Sequence, residues 1–162
     1  MRVRTAAPSD IPGVQKVARL AWWDTYQHLL PHPLIAHFLT HAYSTQALER
    51  TLACCMDLFV VAETQGAVVG FAHFGPIAPR VAELFRIYVL PAHQGAGAGK
   101  ALLEAGLSWA CARGLARLEV SVLRGNTKGS AFYERHGFTL QQAQRVVVRG
   151  EGVPLLRYAR LV

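Results

Sequence analysis

Residues Gln94 to Lys100 read Gln-Gly-Ala-Gly-Ala-Gly-Lys and follow a β-rich stretch that closes at Pro91. A run this bare lets main-chain N–H groups close on an anion, and a helix starting there adds roughly half a positive charge at its N-terminus. A phosphate fits that chemistry. Three phosphate-binding patterns compete, and spacing separates them. A Walker A loop requires glycine where Gln94 stands and Ser or Thr after its lysine, where Ala101 stands. A dinucleotide fingerprint requires Gly-x-Gly-x-x-Gly, but Gly95 and Gly97 lead to Lys100, and Gly97 and Gly99 lead to Leu102. The surviving pattern is Gln-x-x-Gly-x-Gly, on Gln94, Gly97 and Gly99.

Other reactive residues are sparse or wrongly spaced. Cys54 and Cys55 are adjacent, Cys111 stands apart, and no Cys-x-x-Cys spacing exists for zinc, so all three read as reduced and incidental. His37 and His41 have helical spacing, but no glutamate completes a zincin pattern, and no metal is expected. His28 and His32 flank Pro31, which spoils a shared face, and His93 reads as a surface residue.

Two further segments bear on the loop. Asn126-Thr127-Lys128-Gly129-Ser130-Ala131-Phe132-Tyr133 runs on to Gly137-Phe138, and Val68-Val69-Gly70 lies upstream. Together with the loop they resemble the GNAT superfamily of N-acetyltransferases. That family's pyrophosphate loop reads Arg/Gln-x-x-Gly-x-Gly/Ala, its later signature Asn-x-x-Ala-x-x-Phe-Tyr-x-x-x-Gly-Phe, and its third strand Val-x-Gly. Ala131 sits one place later than the family's alanine. The resemblance covers the chain from Arg2 to its end. Trp22 to Tyr26, followed by Thr45-x-x-Leu48, is distantly similar to bacterial polyamine acetyltransferases.

The resemblance implies acetyl-CoA as cosubstrate and a strand before the loop that bulges and splays from its parallel neighbour, here Glu83–Val89 and Leu118–Leu123. Unpaired main-chain groups in such a splay need partners, which the amides of pantetheine supply. Ile87, Tyr88 and Val89 are expected to bond that arm, with the Val89 amide as oxyanion donor. Gln94, Gly95, Ala96, Gly97, Ala98, Gly99 and Lys100 are expected at the pyrophosphate, and Asn126 on the opposite side.

The implied acceptor is a primary amine of a small molecule or peptide, attacking directly in a ternary complex. Such an amine is neutral only about once in two thousand molecules at pH 7, so a base must take its proton. Glu83 is the only carboxylate between Glu63 and Glu104, lies in an apolar strand beside Leu84, Phe85 and Ile87, and precedes Gln94 by eleven residues, like the family's catalytic glutamate. Its structural alternative is a salt bridge to Arg80 or Arg86. Tyr133 is the expected general acid for the departing thiolate. Trp22, Tyr26 and Glu83 are expected at the acceptor, with Trp23, Asp24 and His28 close by.

Elements must position these residues. Val3–Thr5 reads as a strand, Asp10 as the cap of a helix running to about Tyr26, and Leu34–His41 and Thr45–Cys54 as helices. Strands follow over Asp57–Glu63, Ala67–Phe74 and Val81–Leu90, the first two joined by a hairpin at Thr64-Gln65-Gly66. A helix over Gly97–Arg113 stops at Gly114, Leu118–Leu123 is a strand, and Thr127 caps a helix ending at His136. Thr139–Val148 and Leu155–Leu161 close the chain as strands. The result is an α/β (α+β) mixed sheet, about seven strands with helices on both faces, in one domain over residues 1–162.

Composition sets the outer bounds. With 162 residues, 52% apolar and 17% charged, the chain can bury a core, and disorder is excluded. No apolar run approaches the ~18–20 residues of a spanning helix. No apolar segment of a secretory signal follows Met1-Arg2-Val3-Arg4, so a cytoplasmic location without a membrane partner is expected. The net charge of +7 points to an anionic partner, yet the arginines and lysines never form a run, and no nucleic-acid partner is expected. The alternative is an acyl-CoA-binding regulatory or nucleic-acid-binding domain without turnover. A homodimer is left open.

Overall fold

The apolar spacing of the N-terminal segment does what its period predicts. Ile11, Val14, Val17, Ala18 and Ala21 are all buried along one side of helix α1 (Ile11–Tyr26) in the computed structural model, which describes residues 1–162. Asp10 precedes this helix without capping it. Its carboxylate accepts from the Ala7 N–H at 2.7 Å and from both Nη atoms of Arg4 at 2.7 and 2.9 Å, tying strand β1 (Arg2–Thr5) to the helix start. Helix α2 (His32–Ala42) begins ahead of the expected Leu34, with Pro33 in its first turn, where a missing N–H is not needed. Ser44 caps helix α3 (Thr45–Ala53) by accepting from the Ala47 N–H at 3.1 Å.

Strands β2 (Leu58–Thr64) and β3 (Ala67–Ala78) meet in the expected tight hairpin, with Gln65 and Gly66 at φ +52° and +78°. Then come β4 (Val81–Val89), α4 (Ala98–Ala112), β5 (Arg117–Leu123), α5 (Thr127–Arg135), β6 (Thr139–Val148) and β7 (Glu151–Leu161). β3 runs on past the expected end at Phe74, and β7 starts before the expected Leu155. Both extensions contain a proline. Pro76 lies beside a register shift against β4, and Pro154 pairs with Arg145 on the outer strand β6. Asn126, not Thr127, caps α5: its Oδ1 accepts from the Gly129 N–H at 2.9 Å.

All seven strands form one sheet in the order β1-β2-β3-β4-β5-β7-β6, with β4 and β5 its only parallel neighbours. Side chains alternate across it. Phe59, Val61 and Phe71 pack under α1 and α3 with Val17, Ala18 and Leu48, whereas Val60, Ala62, Ala72 and Phe74 pack with Leu102 and Leu103 of α4. Gly106 lets α4 lie this close, since a Cβ there would sit 2.2 Å from the ring of Phe74.

β4 and β5 pair over four residues only, from Val81↔Arg117 to Leu84↔Val120. Beyond that point β4 continues to Val89 against β3, and β5 continues to Leu123 against β7. The β3–β4 register skips Phe85, between Leu84↔Phe74 and Arg86↔His73, and this bulge turns β4 away from β5. The expected splay is therefore a built feature of the sheet.

Candidate active site

A cleft of about 740 Å³ opens where β4 and β5 part. Phe85 to Val89 form one side and Val120 to Val122 the other. The glycine loop and the start of α5 close one end, and Asp24, Thr25 and Tyr26 of α1 cover it.

The loop is shaped for an anion. Gly95 and Gly97 sit at φ +82° and +88°, where a side chain is strained, and Gly97 is the left-handed residue from which α4 starts. Gly99 answers a different need: a Cβ there would lie 3.3 Å from the Phe132 ring. No group of the chain accepts from the N–H groups of residues 95 to 100; the ladder of α4 begins with Ala101 N–H donating to Gly97 at 3.0 Å. Gln94 fixes the loop to the strand, its Nε2 donating to the Val89 carbonyl at 3.2 Å while its Oε1 accepts from Lys128 Nζ. Lys100, Lys128 and Arg135 line the cleft, against a single carboxylate, Asp24. Ala98 instead packs into the core, and neither it nor Ala96 lines the cleft.

Main-chain directions in β4 follow from one bond. Leu90 N–H donates to the Val69 carbonyl at 2.8 Å, so the alternation of an antiparallel ladder turns the main chain of Tyr88 toward β3 and that of Ile87 and Val89 toward the gap. The Gln94 bond to the Val89 carbonyl agrees. Of the three residues expected to bond a ligand by main chain, Ile87 and Val89 face it, and Tyr88 enters through its side chain. The Tyr88 and Tyr26 hydroxyls lie 3.0 Å apart, and both residues line the cleft.

Tyr133 and Asn126 line the cleft from α5. The Asn126 carboxamide oxygen is engaged at the helix cap, which fixes the side chain in place. The Tyr133 hydroxyl has no hydrogen-bond partner in the chain; burial, with Tyr26 nearby, pushes its ionisation above the ordinary phenol range. A raised ionisation favours the protonated phenol, whose O–H is free to donate.

Glu83 differs from expectation. It does not line the cleft, and both its oxygens accept from Arg157, at 2.8 and 3.1 Å. The same guanidinium donates to Glu119 at 2.7 and 3.0 Å and to Ser121 Oγ at 2.8 Å, while Arg117 holds the other Glu119 oxygen at 2.8 Å. Burial pushes the Glu119 carboxyl up, but bonds from Arg157 and Arg117 outweigh it and hold the group below its usual range. The salt bridge is thus to Arg157 on β7, and neither Arg80 nor Arg86 takes part. Arg86 turns the other way, its Nε donating to His73 Nδ1 at 3.4 Å and its Nη1 to the Ala42 carbonyl at 3.3 Å. His73 is buried, with Nε2 2.8 Å from Asp57.

Trp22 lies outside the cleft, in a smaller apolar pocket that shares Tyr26 and Ser121 with it. Trp23 and His28 line neither. The three cysteines are exposed and unpaired, no group of three or more His, Cys, Asp or Glu side chains stands close enough to hold a metal ion, and no helix is long and apolar enough to cross a membrane.

Residues 17–138 match the acetyltransferase (GNAT) family, and the chain belongs to that family. It is 32% identical over 128 residues to the uncharacterised N-acetyltransferase YuaI of Bacillus subtilis, covering 76% of this chain and 72% of that one. It is 26% identical over 145 residues to the spermidine N(1)-acetyltransferase of Thermoplasma acidophilum, covering 87% and 89%. Among solved structures, the PaiA N-acetyltransferase of Thermoplasma acidophilum in complex with coenzyme A superposes with a TM-score of 0.86 at 24% identity, over 99% of this chain and 98% of that one.

Proposed function

We propose that the chain, as one catalytic domain, transfers the acetyl group of acetyl-CoA to a primary amine by direct attack. The observation that carries this reading is the parting of β4 and β5 after Leu84 and Val120, beside a run of N–H groups without acceptors. Residues 95 to 100, with Lys100 and Lys128, hold the diphosphate. Ile87 and Val89 offer main-chain N–H and C=O groups to the amides of the pantetheine arm, in the manner of a missing strand.

An arm anchored at the loop runs past Val89 toward the closed end of the gap. Ile87 lies about 7 Å further along the strand than Val89. Its N–H is therefore the better-placed oxyanion donor, and Val89 serves the arm. Tyr133 donates a hydrogen bond to the departing sulfur; a phenol this weakly acidic stabilises a thiolate without surrendering its proton. The amine's proton passes to water in the cleft beside Asp24, and Glu83 remains in its ion pair.

The test is release of free thiol from acetyl-CoA in the presence of amines, with isothermal calorimetry for the CoA complex. Acetyl-CoA binding with amine-dependent thiol release supports the proposal. Binding without release under any amine returns the chain to the alternative of an acyl-CoA-binding regulatory domain.

A further inference from the structure

We infer that the acceptor amine carries an apolar group about the size of one aromatic ring, taken up by the second pocket. This rests on the N-acetyltransferase reading above. The pocket holds about 190 Å³ and adjoins the cleft, Tyr26 and Ser121 lining both. Ten of its eleven lining residues are hydrophobic, drawn from α1, α2 and the far strands of the sheet: Trp22, Phe38, Leu123, Val146 and Val153 supply its walls. A dry cavity of about 150 Å³ with such a lining accepts benzene.

The polar side-chain atoms on those walls already have partners. Trp22 Nε1 donates to Tyr43 Oη at 3.2 Å, the Tyr26 hydroxyl lies 3.0 Å from that of Tyr88, and Ser121 Oγ accepts from Arg157 at 2.8 Å. No carboxylate lines it, and an ammonium group placed deep among its aliphatic and aromatic walls would lose most of its hydration. The rim adds positive charge: Arg149, next to Val148, contacts His37 Nδ1, next to Phe38, at 3.1 Å. An arylalkylamine or branched alkylamine fits this site. A polyamine, whose second charge falls where the apolar group belongs, does not. The amine nitrogen sits at the junction beside Tyr26 and Ser121, with its tail in the pocket.

The experiment is thiol release from acetyl-CoA by the whole protein across ethylamine, butylamine, hexylamine, 2-phenylethylamine and spermidine. kcat/KM should rise about fourfold per added methylene until the pocket is full. 2-Phenylethylamine should exceed ethylamine by at least about 30-fold, on the same scale, and spermidine should rank below both. Val146→Trp, which fills the pocket from β6, should bring the ratio of 2-phenylethylamine to ethylamine toward one. Spermidine turned over as well as 2-phenylethylamine by the unaltered protein overturns the inference while leaving the acetyltransferase reading intact. So does a ratio that Val146→Trp leaves unchanged. If acetyl-CoA binds but no amine in the panel releases thiol, the proposed function itself fails, and this inference with it.

Discussion

Replacing Glu83 by Gln separates two roles that the same carboxylate could hold. In the structure Arg157 spans Glu83, Glu119 and Ser121, with the Arg157, Glu83 and Glu119 side chains only 15%, 20% and 18% exposed. Glu83→Gln removes one charged acceptor but leaves the guanidinium paired with Glu119. Net hydrogen bonds to charged groups are worth about 1.5–3 kcal/mol, and partial exposure lowers this, so a loss of about 1–2 kcal/mol is expected. For a chain of this length that is a fall in Tm of roughly 3–6 °C. Arg157→Met is harsher, because Glu83 and Glu119, which face each other in register, are left side by side. Breaking a fully buried pair costs about 3–5 kcal/mol, and about 2–4 is expected here. The pH dependence follows from Glu119. A carboxyl held below its unfolded value of 4.5 stabilises the fold above that pH, and the benefit is lost as pH falls through the folded value. The deficit of Arg157→Met should therefore be full above about pH 5 and shrink as pH falls below 4.5. Denaturant unfolding gives the stabilities, and thiol release gives the rates. With Glu83 in a structural pair, Glu83→Gln keeps kcat within about threefold. A general base contributes about 10²–10⁴-fold. A Glu83→Gln protein of unchanged stability whose kcat drops a hundredfold at neutral pH and recovers at high pH would refute this assignment and restore Glu83 as the base.

Three further outcomes follow from the same geometry. Gly97→Val meets open space but a φ of +88°, so it should cost about 1–3 kcal/mol of backbone strain and weaken acetyl-CoA binding at least about tenfold, read by calorimetry. Tyr133→Phe should lower kcat about a hundredfold, the loss of one donor to a developing charge, with Tm nearly unchanged because the hydroxyl bonds nothing in the chain. Burial raises the ionisation of Tyr26, Tyr43, Tyr88 and Tyr133. Their contribution is therefore complete below the unfolded value near 10 and is lost as pH rises beyond it. Unfolding free energy should be flat up to about pH 9.5, then fall by up to about 1.4 kcal/mol per tyrosine per pH unit.

Much of the site was legible in the sequence because its parts are local. The loop's glycines, the strand before it and the helix after it occupy one continuous stretch, and spacing alone excluded two other phosphate-binding patterns. Period-two and 3.6-residue patterns placed every strand and α-helix to within a few residues, missing at Pro76 and Pro154, where pairing at a register shift and on the outermost strand accommodates a residue that usually ends a strand. What escaped notice depends on distant partners. Arg157 lies 74 residues from Glu83 and reaches it only because β7 inserts beside β5, an order that no local pattern encodes. The apolar pocket is likewise assembled from α1, α2 and the last three strands of the sheet. Asn126 carried a signal that was open to reading: Asn precedes the helix, and its side chain suits a cap as well as a ligand.

The short seam between β4 and β5 makes the sheet two half-sheets fastened at one end. Phe85 bends one half away, and beyond Leu84 and Val120 the two halves share no ladder, each held only by its outer neighbour. A pantetheine arm laid between them, as proposed above, would bridge the halves where the sheet itself does not.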